Sequence, residues 1–147
     1  MTSATTAPSI RVVAAVIEHE GRYLITQRRP TAVMPLMWEF PGGRVEPGET
    51  NEDALNREMR HRLGVHIAVG ALISFVSHEY DRYTVELHLY QCAITRGNVL
   101  AHNVNAFAWA KSDEFDDYLF TPADEASVAT LLGVEQASDP APKTAKN

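Results

Sequence analysis

Gly42-Gly43-Arg44-Val45-Glu46-Pro47-Gly48-Glu49-Thr50 runs into the helical stretch Asn51 to Leu63 and a closing Gly64-Val65. A glycine-rich turn feeding a helix start offers free backbone N–H groups beside the positive end of the helix dipole, so the chemistry it suits is phosphate binding. Thr50 is placed to cap the helix, with Asp53 returning a bond to the Thr50 amide as a capping box. Leu55, Met59 and Leu63 recur every four residues and make one face apolar. Glu58, His61 and Arg62 share another face, because residues three and four apart are neighbours on a helix surface. That face is where chemistry is expected.

The spacing goes further than a generic phosphate turn. Gly43, five residues, Glu49, seven residues, Arg57-Glu58-Met59 and a terminal Gly64-Val65 resemble the Nudix box. That box marks hydrolases that cleave nucleoside diphosphates linked to another moiety. The resemblance implies that Glu49 orients Arg57, that these two and Glu58 form the catalytic remnant, and that Gly43 (by its carbonyl) and Glu58 are metal ligands. It also exposes a departure. The family continues with two adjacent metal-binding glutamates where this chain has His61 and Arg62, and its helper glutamate in the loop before the closing strand aligns with Asn103. Magnesium takes oxygen ligands in near-octahedral geometry. His61 offers only nitrogen, which suits Mn²⁺ or another transition metal better, and Arg62 carries a permanent repelling charge. The simplest physical expectation is that Glu58 and Arg62 pair across one helical turn. The guanidinium then takes over part of the metal's electrostatic role and offers a fork to phosphate.

Arg28, Trp38-Glu39-Phe40-Pro41-Gly42-Gly43, Ser77-His78 and Phe120-Thr121-Pro122-Ala123-Asp124 are similar to the MutT and CTP pyrophosphohydrolase branch, which removes pyrophosphate from nucleoside triphosphates. The resemblance implies a ligand set of Arg28, Phe40, Gly42, Gly43, Arg44, Arg62 and Asp124. Phe40 would border the base pocket, Asp124 would read the base edge, and Arg28 would lie near sugar or phosphates. Aspartate at 124, where the MutT sanitising enzyme has asparagine, implies a cytidine-type or mixed specificity. Plain alternatives stand beside these roles. Asp124 also sits where a capping box for the last helix needs an acid, and Arg28 ends a strand, where surface arginines are ordinary.

These residues need elements to hold them. One chain of 147 residues makes about one domain with a core. Residues 10–133 are read as that domain, with disordered segments at 1–9 and 134–147. Ile10 to Ile17 and Arg22 to Gln27 read as a hairpin across Glu18-His19-Glu20-Gly21. Met34, Leu36, Met37 and Trp38 are expected to fold back over the sheet as core, with direct ligand contact as the alternative. Val65 to Val76 and Tyr83 to Ile94 follow as strands, Ala106 to Ala110 closes the sheet, and a second helix starts at Thr121-Pro122 and stops at Gly133. Strands on both sides of the first helix, together with the resemblance, imply an α/β Nudix fold. Its mixed β-sheet would be sandwiched between the box helix and the C-terminal helix.

Bulk properties narrow the partners. A net charge of −6 argues against strong nucleic-acid binding, though a local basic patch can still hold a small anion. No apolar run reaches the roughly 20 residues a membrane span needs, and the single cysteine, Cys92, fits packing in a reducing cytoplasm. Three readings stay open. One is a nucleotide binder with weak or absent hydrolysis. The second is a working pyrophosphohydrolase whose metal site borrows Glu49, Glu52, Glu79 or Glu86 and uses Mg²⁺ or Mn²⁺. The third is a protein-interaction scaffold, and a homodimer or a protein partner is open in each.

Overall fold

Odd and even residues of the first strand serve different cores. In the computed structural model, which describes residues 8–133, β1 (Ser9–Val16) sends Val13 and Ala15 to one side and Ala14 and Val16 to the other. The first side packs on helix α1 (Asn51–Leu63) through Ala54, Leu55, Met59 and Leu63. The second packs beneath α2 (Pro122–Leu131) with Phe40, Phe115, Phe120 and Ala123. Strands buried on both faces carry apolar residues at successive positions, which is why β1 reads as a run rather than an alternation.

Two four-stranded sheets lie between the helices. In one, β5 (Gly42–Arg44), β1, β7 (Thr84–Arg96) and β6 (His66–Glu79) stand side by side, with β1 parallel to β7 and the other pairs antiparallel. In the other, β3 (Arg22–Gln27) pairs with β2 (Glu18–His19), β4 (Trp38–Glu39) and β8 (Ala106–Lys111). The expected α/β sandwich is present, its mixed sheet and an antiparallel sheet lying between the two helices. β7 divides by the same alternation: Leu87 and Leu89 enter the α2 core, while Cys92 enters the α1 core with Tyr90 and Ile94 beside it.

Several expectations are corrected. The segment 10–17 does not form a hairpin with 22–27, because β1 belongs to the other sheet; past its end, the Ile17 carbonyl accepts the Leu24 N–H at 3.0 Å. Only Glu18–His19 makes the hairpin, turning through Glu20 (φ 53°) and Gly21 (φ 79°), the doubly left-handed turn that matches strand twist. Of the apolar cluster Met34, Leu36, Met37 and Trp38, Trp38 packs against the α2-side core as expected, and the loop before it does not. Val33 and Leu36 are exposed, while Met34, at φ 54°, reaches a cavity instead. The expected disordered ends lie outside the described residues except for Pro8 and Ser9. Ser9 opens β1, and the Pro8 carbonyl accepts the Thr84 N–H at 2.9 Å.

Gly42 and Gly43 are strand residues rather than a free phosphate turn. A side chain on Gly42 would collide with the Val13 carbonyl, and one on Gly43 with the Glu58 carboxyl. Gly42→Ala is expected to cost about 3 kcal/mol, since backbone on β1 must move to admit one methyl. A urea melt with an unchanged midpoint would contradict this.

Candidate functional site

Capping fixes how α1 presents its acids. Thr50 Oγ1 accepts the Asp53 N–H at 3.1 Å, and among the described residues the return bond from Asp53 is not made. At the far end Gly64 adopts the left-handed conformation, φ 73°, and its N–H reaches the Arg60 carbonyl. With Leu55, Met59 and Leu63 wholly buried, Glu58 turns inward too, only 7% exposed.

Its carboxylate is fully engaged. Arg57 Nη1 donates to Oε2 at 2.7 Å and Arg62 Nε donates to Oε1 at 2.6 Å, so the expected pair across one turn is formed. Arg57 also grips Glu49 through two bonds, 2.6 and 2.9 Å, and the Arg44 carbonyl at 2.9 Å. Hydrogen bonds from Arg57 and then from the Glu46 N–H hold the Glu49 carboxyl down at about 2. The Arg57 guanidinium is correspondingly raised, first by Glu49. The turn before the helix is closed on itself by this glutamate, because the Glu46 N–H donates to Glu49 Oε1 at 2.8 Å. That amide is spent.

The donor set does not fit the magnesium cluster that the box implies. Both Glu58 oxygens face cations. His61 is exposed, and among the described residues no three His, Cys, Asp or Glu side chains gather closely enough to hold a metal. Among the described residues Glu49, Glu52, Glu79 and Glu86 do not gather with Glu58 into such a group. Asn103 has a different task. Its amide donates to the His61 carbonyl at 2.8 Å and its backbone N–H to the Arg62 carbonyl at 3.1 Å, tying the loop before β8 to the end of α1. A glutamate there could not donate.

A cavity of about 360 Å³ lies beside this network. All seven expected ligand residues, Arg28, Phe40, Gly42, Gly43, Arg44, Arg62 and Asp124, line it. Arg57 and Glu49 do not; they brace the helix behind it. Among the further wall residues, Met34 takes the ligand-side alternative to core, and Glu39, Tyr80 and Tyr83 escaped sequence reasoning. Glu39 had a signal, a lone charge between Trp38 and Phe40. It accepts from Arg28 Nη1 at 3.0 Å. Burial raises its pKa, while the charges of Arg28 and Arg62 oppose that rise. The two tyrosines stack with centroids 5.3 Å apart, and the Tyr80 hydroxyl accepts the Ala123 N–H at the start of α2. Phe40, buried in the core, is also a cavity wall.

Asp124 is not the capping acid. Thr121 does cap α2, accepting the Asp124 N–H at 3.3 Å, but the Thr121 N–H goes to the Trp38 carbonyl. The Asp124 carboxyl accepts the Phe40 N–H at 3.0 Å and the Thr121 hydroxyl at 2.6 Å. Burial first, then the Glu39 charge, push it up to about 7. A carboxyl near that value both donates and accepts at neutral pH. An apolar cavity with a few converging polar groups and a displaced carboxyl pKa is the usual form of a small-molecule site.

Comparison with known proteins gives the lineage. Residues 12–130 match the NUDIX domain family. The chain belongs to it. A CTP pyrophosphohydrolase of Escherichia coli (strain K12) is 36% identical over 128 residues, covering 87% of this chain and 95% of the relative. A putative 8-oxo-dGTP diphosphatase 2 of Mycobacterium tuberculosis is 32% identical over 121 residues, covering 82% of this chain and 86% of the relative. The solution structure of the E. coli ORF135 protein superposes with a TM-score of 0.75 at 33% identity, covering 92% of this chain and 96% of that one. This Nudix domain therefore sits in the MutT and CTP pyrophosphohydrolase branch. Nudix hydrolases typically use divalent metals; this chain keeps the box glutamate at Glu58 and has His61 and Arg62 at the two following glutamate positions. Among the described residues no helix is long and apolar enough to cross a membrane.

Proposed function

We propose that this Nudix domain binds a nucleotide or nucleoside diphosphate derivative and hydrolyses it weakly or not at all. The single observation behind this reading is the Glu58 carboxylate held between Arg57 and Arg62 at 2.7 and 2.6 Å. A hard cation has to displace a charged partner to reach it. The cavity supports a flat heterocycle among Phe40, Tyr80 and Tyr83, with the Asp124 carboxyl at its edge and Arg28, Arg44 and Arg62 towards the phosphates. The displaced pKa of Asp124 favours a base edge that offers both a donor and an acceptor, as cytosine and oxidised purines do. Buried Cys92, its thiol pushed up to about 12 by burial, is inert and compatible with a reducing compartment.

Isothermal titration with CTP and 8-oxo-dGTP, first with Mg²⁺ and then with chelator, tests the reading. Binding is expected to persist in chelator, with no pyrophosphate released over hours. Tight binding that vanishes with chelator, alongside turnover, would establish the metal-dependent enzyme instead. Thermal unfolding that no nucleotide shifts would point to the interaction scaffold.

A further inference from the structure

A second cavity, about 210 Å³, opens on the other side of Arg28 and Arg62. Its polar lining is Arg28, Arg29, His61, Arg62 and Asn103, with no acidic side chain. The two cavities share Arg28 and Arg62 as walls. Glu39 and Glu58 offset those two arginines from behind, and neither carboxylate lines the second cavity. Among the described residues Arg62 hydrogen-bonds through Nε alone, which leaves its two terminal nitrogens for a ligand. Arg28 uses Nε on the Val33 carbonyl and Nη1 on Glu39, and Nη2 makes no described bond. Arg29 makes no described side-chain bond, and its neighbour Pro30 stiffens the backbone that carries it. Asn103 holds the rim in place by its bond to the His61 carbonyl.

We infer that this second cavity is a metal-free polyphosphate subsite. It takes the terminal phosphates of a ligand whose remainder occupies the first cavity. The inference rests on the nucleotide-binding reading and deepens it by fixing the ligand's charge: a chain of at least two phosphoryl groups, bound without its magnesium. Arginine forks match phosphoryl oxygens in pairs, and three of them in a cavity without an acid form a local trap that the overall charge of −6 conceals. Magnesium, by neutralising the polyphosphate, competes with the arginines for the same oxygens.

Calorimetry on the full chain with inorganic triphosphate, and with cytidine, CMP, CDP and CTP, decides it. In chelator, affinity is expected to climb by about tenfold from CMP to CDP. Inorganic triphosphate should bind on its own, and equimolar Mg²⁺ should weaken both CTP and inorganic triphosphate. Arg29→Ala should cost about tenfold on CTP while leaving cytidine unchanged, and Arg29→Lys should recover part of the loss. CMP, CDP and CTP binding alike would overturn the subsite while leaving the nucleotide reading standing. A magnesium requirement for CTP would also overturn it. Inorganic triphosphate binding as tightly as CTP, with no measurable cytidine contribution, would keep the subsite and remove the nucleoside from the proposed function.

Discussion

His61→Glu combined with Arg62→Glu is expected to turn magnesium from an antagonist of nucleotide binding into a requirement for it. Removing the guanidinium frees Glu58 Oε1, now bonded at 2.6 Å, and adds two carboxylates to the same helix face. Three acids within two turns then present oxygens to a hard cation, which the present set does not. Without metal the variant should be weaker than the parent, because buried Glu58 keeps only Arg57 and gains a like charge nearby. Breaking a buried pair from one side costs about 3–5 kcal/mol. Magnesium should restore the melting temperature, and that recovery separates a repaired site from a merely damaged helix. If a bound metal contributes the several kcal/mol typical of charge neutralisation in phosphoryl chemistry, pyrophosphate release rises by about a thousandfold over the parent. A double variant that melts at the same temperature with and without Mg²⁺, and releases pyrophosphate no faster than the parent, would show that residues 61 and 62 do not set the metal dependence of this chain.

Asp124→Asn should raise stability above neutral pH and leave it nearly unchanged in acid. The carboxyl is buried, and burial followed by repulsion from Glu39 lifts it from 3.8 to about 7 in the fold. A raised folded pKa means the native state holds its proton more tightly than the unfolded chain. The favourable contribution is therefore complete below about 4 and is lost as pH rises through about 7. Asparagine has no proton to lose, keeps an oxygen for the Phe40 N–H, and lets the Thr121 hydroxyl rotate to accept from its amide. The difference in stability between Asp124→Asn and the parent should grow from near zero at acid pH to about 2–4 kcal/mol above pH 8. Paired melts from pH 4 to 9 measure it. A difference that is flat with pH, or that favours the parent in alkali, would mean that Asp124 is ionised throughout. The same substitution should shift ligand preference, since the edge then presents a fixed donor and a fixed acceptor.

The box helix was legible in detail because its signals are local. Leu55, Met59 and Leu63 mark the buried face by spacing, Thr50 and Gly64 mark the ends, and Glu58 and Arg62 meet because a helix turn puts them together. The ligand set was legible only through resemblance, since Arg28, Phe40 and Asp124 converge from three distant segments. Tyr80 and Tyr83 carried no such signal, because a stacked pair on a strand connection looks in sequence like any polar turn. The first hairpin misled because both strands are apolar, and nothing in that pattern says which sheet a strand joins. The loop 31–37 misled for a related reason: Met34 and Leu36 are as apolar as core residues, but the backbone turns left-handed at both, leaving Met34 on a cavity and Leu36 exposed. Asn103 shows the limit of a positional match, since the alignment locates the residue and only the fold shows it bonded to the end of α1.

Arg57 bridges Glu49, Glu58 and the Arg44 carbonyl without help from any ion. Those side chains hold helix, turn and strand together, so they serve the fold itself as well as any chemistry on it. The most recognisable letters of the box therefore carry a structural duty of their own, and the departures from the box stand at positions 61 and 62.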